Sequence, residues 1–287
     1  MNGRQRTRAT LFLPGLFCAV ALLISPAEAQ ETQSTTDAAA EMARKLQDPL
    51  ASMSAVMTDN DILFKTGDGD VSSVFRLQPV HAFDFPDAGF SFIARGVVPI
   101  IGAAPLADLP PIGEPLPPGD STTWGLGDIA TQFFFAPKIA GTWKFGFGPQ
   151  LTWKSRTDAN IGGPGWGAGP VGILVGALGD DVSLSVIAAN TWAYEGDFNS
   201  FFIQPSVFYN FKSIPGLVIG YNAGISADWK ASPENRWTVP LGLVVGKTFD
   251  VGGGYGLDVS IGPYWNVVRP EGGADAFLKF GVTLLLP

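Results

Sequence analysis

Between Leu217 and Lys230 the chain alternates apolar residues with small or polar ones. Leu217, Ile219, Tyr221, Ala223, Ile225, Ala227 and Trp229 share one parity, and Val218, Gly220, Asn222, Gly224, Ser226, Asp228 and Lys230 the other. A period of two is the period of a β-strand, whose successive side chains point to opposite faces. The run exceeds the ~9–11 residues a tilted strand needs to cross a bilayer, and aromatics lie toward one end of its apolar face, where an interfacial girdle would sit. A soluble sandwich would turn its polar face outward and use shorter strands. Here the polar face is mostly Gly, Asn and Ser, which suits a crowded or wet lumen.

Composition removes the helical alternative. Of 287 residues 46% are hydrophobic and only 15% charged, with 36 Gly and a mean hydropathy of +0.21; soluble domains carry roughly a quarter charged residues. Yet the only long uninterrupted apolar run is at the extreme N-terminus, so helical spans of ~20 residues are missing from the rest. That run, Leu11 to Ile24, follows Arg4, Arg6 and Arg8 and precedes an Ala27-Glu28-Ala29 cleavage site, the order of a secretory signal peptide over residues 1–29. Its removal takes away three Arg and one Glu, leaving 15 Lys+Arg against 25 Asp+Glu and a net charge of about −10, which argues against a nucleic-acid partner. The single cysteine, Cys18, leaves with it, so disulfides, cysteine metal sites and cysteine nucleophiles are excluded from the mature chain.

Residues 30–59 read as a helical leader. Ala39, Met42, Ala43, Leu46, Leu50, Met53 and Val56 recur at helical spacing, and Asp48-Pro49 interrupts them, which predicts a helix over Asp37–Gln47 and a second turn over Pro49–Met57. Residues 60–287 read as an all-β, antiparallel transmembrane barrel of about twelve strands, an even number as in bacterial single-chain barrels. Its connections alternate between short (Asp84–Ala88, Pro137–Gly141, Gly179–Asp181, Lys212–Gly216, Asp250–Gly254) and long, the longest being the proline-rich Gly102–Ser121 and the Gly-rich Arg156–Trp166. Short turns belong to the periplasm and long loops to the outside, which puts both termini in the periplasm.

Parity places Arg76, Gln78, Arg95, Lys144, Lys154, Arg236 and Lys279 on the inner face, with Asp128, Asp228 and Asp258 as partners. A charge on mid-bilayer lipid would cost about 2–4 kcal/mol, so inward placement is favoured. Two readings stay open: a closed salt-bridge network filling a narrow lumen, or a basic-lined constriction that selects solutes.

Other chemistry finds little support. A Ser-His site needs a positioned histidine, and the only one, His81, shares the outward parity of Phe75, Leu77 and Pro79. Thr66-Gly67-Asp68-Gly69-Asp70 lacks the terminal Glu of a calcium loop. Gly125-Leu126-Gly127-Asp128 has neither the basic residue nor the helix of a nucleotide loop; its glycines mark a bulge where parity shifts between Trp124 and Ile129. No catalytic residue, cofactor or metal ligand is assigned.

Several blocks carry a resemblance: Ala43-Arg44-Lys45-Leu46-Gln47-Asp48-Pro49, Gly125-Leu126-Gly127-Asp128-Ile129, Phe133-Phe134-Phe135-Ala136-Pro137-Lys138, Asn235-Arg236-Trp237-Thr238-Val239-Pro240-Leu241-Gly242 and Asn266-Val267-Val268-Arg269-Pro270-Glu271-Gly272-Gly273-Ala274-Asp275. Together they resemble the bacterial envelope proteins labelled "neuromedin U", which are similar to the phenol-degradation-pathway (MetA-pathway) barrels. The resemblance implies an outer-membrane barrel in a Gram-negative bacterium and the passage of hydrophobic or aromatic compounds. The expected function is a passive channel for small solutes, gated by the proline-rich loop or the N-terminal helix, with outer-membrane lipid and the barrel-assembly machinery as partners. The alternatives are a sealed structural or interaction barrel and a lipid-modifying enzyme of the outer membrane.

Overall fold

In a computed structural model, which describes residues 31–51, 53–64, 71–102, 124–158, 161 and 163–287, the period-two segments pair in sequence order into one antiparallel sheet. Its strands are β1 (Ser54–Phe64), β2 (Val71–Phe85), β3 (Phe90–Gly102), β4 (Trp124–Leu126 and Ile129–Pro137), β5 (Lys144–Trp153), β6 (Gly167–Leu178), β7 (Val182–Ala193), β8 (Asn199–Asn210), β9 (Leu217–Tyr221 and Ile225–Asp228), β10 (Trp237–Gly242 and Val244–Gly252), β11 (Tyr255–Val268) and β12 (Ala276–Leu286). β12 pairs with β1 from Ser54 opposite Leu286 to Phe64 opposite Ala276, which closes the sheet into a barrel of twelve strands among the described residues. Closure leaves no edge, the condition for a sheet in lipid. Among the described residues no helix is long and apolar enough to cross a membrane. The signal peptide of residues 1–29, the Thr66–Asp70 stretch and residues 103–121 of the proline-rich connection lie outside the described residues.

The exterior is a band of exposed Leu77, Leu174, Leu241, Leu243, Val245, Ile261, Val282 and Leu284. Phe85, Phe90, Phe135 and Phe147 run in contact around its short-turn end, with ring centroids 4.8–5.9 Å apart. Trp153 meets Trp166, and Trp229 meets Trp237, near the long-loop end. Two aromatic girdles around an apolar belt are the surface of a barrel that spans a membrane.

The interior is layered. Toward the long-loop end Leu63, Val74, Ile101, Ile161, Ala223, Tyr264 and Phe277 form an apolar layer. Toward the short-turn end Leu50 enters the lumen and packs with Ile93, Phe134, Ile173, Val175 and Ile187. Polar side chains occupy the space between.

Three expectations are corrected. The helix α1 runs from Glu31 to Gln47, longer than Asp37–Gln47, and no second helical turn over Pro49–Met57 follows it. Asp48 turns the chain by accepting the N–H of Leu50 and Ala51, and β1 starts at Ser54, not near Asp61. The leader is therefore shorter than residues 30–59, because Ser54–Asp59 have strand partners on both sides, and pairing on two edges outweighs a helical spacing of Met53 and Val56. The third correction concerns the opening stretch, which is not continuous: Asn222, Ala223 and Gly224 leave the sheet. The pairing register on either side of the break is the same. Continued across it, that register sets Ala223 opposite Pro205 and Gly224 opposite Pro240, and a proline has no N–H to give to a ladder. The segment bends inward, so that Ala223, assigned by parity to lipid, is 1% exposed in the apolar layer beside Tyr264.

The glycine-marked bulge in β4 is present. Ile100 faces Leu126 and Val97 faces Ala130, so four residues of β4 span three of β3, and Gly127 N–H donates to the Pro99 carbonyl at 2.8 Å.

Candidate functional site

The polar layer is built from inward positions on successive strands. Arg76 of β2, 3% exposed, donates to Asp61 of β1 at 2.6 Å. Lys279 of β12, 4% exposed, donates to Asp59 and lies 3.5 Å from Asp61. From there a chain of side chains crosses the wall: Arg95 of β3 donates to Gln78 of β2 and, at 3.2 Å, to Gln132 of β4. Gln132 donates to Gln150 of β5, and Gln150 to Thr191 of β7, each at 2.6 Å. Strand alternation brings these inward groups to one height, and across β6, where Gly169 lies opposite Gln150 and offers no side chain, Gln150 reaches Thr191 of β7 directly.

Below the belt lies a cavity of about 180 Å³. One side is apolar, with Val80, Ile93, Phe134, Ile173 and Ile187, and the other presents Asp59, Arg95, Lys279, Asp258, Asn222 and Gln204. Ala43, Leu46 and Gln47 of α1, with Pro49 and Met53, close it toward the short-turn end. The helix is held there by paired amides, Gln47 to Asn210 at 2.9 and 3.0 Å, by Lys144 to Asp48 at 2.5 Å, and by Arg44 on the carbonyl of Asp180 at 3.3 Å. On its exposed face Lys45, 2.8 Å from Glu41, draws that carboxyl below its usual range by hydrogen bond and charge.

Of the ten residues that parity selected, Arg76, Gln78, Arg95, Asp258 and Lys279 meet in the lumen. Asp258 accepts from Thr248 at 2.8 Å and has neither Arg95 nor Lys279 within 4 Å. Of the other five, Asp128 lies in the bulge of β4 and four sit at the ends of strands. Asp128 organises a long-loop turn, accepting the N–H groups of Ser155, Arg156 and Gly165 at 3.2, 3.3 and 2.7 Å, with Arg156 at 3.7 Å. Lys154 reaches Glu195 at 3.6 Å, Asp228 accepts from Lys230 N–H at 2.8 Å, Arg236 lies 5.8 Å over the Trp229 ring, and Lys144 anchors the leader. Parity gives the face of a strand, not the height along it.

Asp59, Asp61, Gln132 and Gln150 were missed. The shared parity of Met57, Asp59, Asp61 and Leu63 carries the signal for the first two: the leader reading covers Asp59, and a strand begun near Asp61 is too short to give that residue a face. His81 lies on the outer face with its Nδ1 2.6 Å from Ser54 Oγ and its ring 4.4 Å from Phe83. Among the described residues no three metal-ligating side chains converge.

No protein-family model and no curated protein matches the chain. Among solved structures it is similar to the COG4313 outer membrane channel from Pseudomonas putida F1, with a TM-score of 0.56 and 15% identity over 82% of this chain and 96% of that one. It is also similar to the NanC porin (TM-score 0.48, 12% identity, 82% and 99% covered) and to the CymD monoaromatic hydrocarbon channel (TM-score 0.44, 10% identity, 91% and 94% covered). At such identity the likeness to the Pseudomonas putida F1 protein is one of fold, and it agrees with the closed, lipid-faced barrel of twelve strands described above.

Proposed function

We propose that the chain is a passive outer-membrane channel for small solutes, with long loops outside, short turns in the periplasm and α1 as a periplasmic stopper. The observation that carries this reading is the cavity: a part-apolar, part-charged space inside a closed barrel, bounded below by an element that no strand pairing holds. A barrel built only for structure would fill that space with side chains, as small barrels do. The resemblance to the neuromedin U and phenol-degradation-pathway barrels favours hydrophobic or aromatic solutes. The sealed-barrel alternative draws on the apolar layer, into which Ile161 inserts from a long loop and is fully buried.

Liposome swelling and planar-bilayer conductance of the mature chain, compared with a form lacking residues 30–52, test the reading. Permeation should rise several-fold when the leader is removed, because removal unseats Leu46 and Leu50 while β1 remains whole. Absence of permeation in both forms would assign the barrel a structural role.

A further inference from the structure

The lumen holds three cations in one belt, Arg76, Arg95 and Lys279, but among the described residues only Asp59 and Asp61 serve them, since Asp258, the other carboxylate of the cavity wall, accepts from Thr248 and pairs with none of the three. Arg76 and Lys279 take both. Among the described residues Arg95 is the cavity-lining cation with no carboxylate within ion-pair distance. Its partners are the amide oxygens of Gln78 and Gln132, which orient the guanidinium without neutralising it, and its Nε is buried and has no hydrogen-bond partner. A guanidinium has five donors in a planar fork that matches a carboxylate in two parallel bonds. Two of the five are spent on the glutamines, and the edge containing Nε is unspent.

The other half of the cavity has the opposite character. Ile93 lies two residues along β3 from Arg95 on the same face, and Phe134, Ile173, Ile187 and Val80 continue the apolar wall around it. The volume, about 180 Å³, is ring-sized: an apolar cavity of about 150 Å³ accommodates benzene. A ligand that satisfies both halves is a single apolar ring carrying one carboxylate.

We propose that this cavity is a binding site for small aromatic monocarboxylates, with Arg95 taking the carboxylate and the Ile93, Phe134, Ile173 and Ile187 wall taking the ring. This deepens the channel reading by naming its solute class and rests on it for biological meaning, but the site itself is testable without conduction.

The experiment is equilibrium dialysis of radiolabelled benzoate against the full mature chain folded in detergent, with toluene, acetate and benzylamine as competitors. One saturable benzoate site per barrel is expected, with acetate and toluene each competing at least tenfold more weakly and benzylamine, the same shape with reversed charge, not competing. These competitors probe the unaltered protein, so the result stands even if a variant misfolds. In Arg95→Gln, with folding checked by heat-modifiable electrophoretic mobility, affinity should fall roughly 10–100-fold, the worth of a hydrogen bond to a charged group, and Arg95→Lys should recover part of it. Absence of saturable benzoate binding overturns the site. Equal competition by toluene or benzylamine overturns the role of Arg95, and equal competition by acetate overturns the role of the ring wall. A barrel that binds benzoate and never conducts would refute the channel and keep the site; one that conducts and never binds would do the reverse.

Discussion

The wall from β12 through β1 to β5 and the wall at β9–β10 solve the same problem in opposite ways. Where β1 pairs with β12 and β2 along its whole length, and β2 with β3 except at Gln78 and Pro79, the backbone is satisfied by the sheet and side chains are free to build the Asp59–Lys279–Asp61–Arg76 cluster and the Arg95 chain. At Asn222–Gly224 the sheet does not reach the backbone, so lumen side chains do: Tyr264 Oη accepts the Asn222 N–H at 3.2 Å and donates to Asn222 Oδ1 at 3.0 Å, and Gln204 donates to the Asn222 carbonyl at 2.6 Å. Tyr221 spans the gap to the Pro240 carbonyl at 2.9 Å. Polar groups buried in a membrane protein must be paired by something. In one wall that leaves side chains over for solute chemistry, and in the other it consumes them.

The contrast predicts unequal costs. Asp61→Leu should be the most damaging change, because it removes the carboxylate 2.6 Å from Arg76 and the second carboxylate beside Lys279, which keeps Asp59; breaking a buried ion pair costs about 3–5 kcal/mol, and the variant should lose its heat-resistant folded band on electrophoresis at a markedly lower temperature. Tyr264→Phe in the broken wall should cost about 1–3 kcal/mol, the penalty of unsatisfied buried donors and acceptors, and hydrogen exchange should rise at residues 221–225 while β1–β3 stay protected. If Tyr264→Phe proved the costlier of the two, the broken wall would be the structural centre of the barrel and the comparison would have to be inverted.

How much of this could be read in advance follows from what strand parity encodes. Closure, twelve strands, the alternation of short and long connections and the inward positions of Arg76, Arg95 and Lys279 were legible, because period two fixes the face of every residue. Height was not: Lys144, Lys154, Asp228 and Arg236 have inward parity but lie at strand ends, and a side chain's depth depends on register and tilt, which neighbouring strands set. The break at Asn222 was legible only in retrospect. Pro205 and Pro240 are both visible in the sequence, but their effect on β9 arises from cross-strand positions that no local pattern contains. Asp59 is hidden by the competing helical spacing of the leader, and Asp61 by the short strand that this spacing leaves after it.

The smallest effect concerns α1, which leans on both walls. Ala39 approaches Gly216, and Met42 approaches Gly256, at the short-turn ends next to β9 and β11, and Gln47 pairs with Asn210 at the end of β8. From the intact wall, among the described residues, Lys144 of β5 reaches Asp48 just past the helix, with the lysine side chain 50% exposed. A half-buried amide pair is worth about 0.5–1.5 kcal/mol per hydrogen bond, and an exposed ion pair about 0–1 kcal/mol, less in salt. Asn210→Ala should therefore speed hydrogen exchange across residues 38–47 several-fold, whereas Lys144→Ala should change it little at physiological ionic strength. Neither should move the unfolding temperature of the barrel, since no strand pairing is touched. If Lys144→Ala released the helix and Asn210→Ala did not, the stopper would hang from the intact wall, and the cavity would open beside Ile173 instead of beside Gln204.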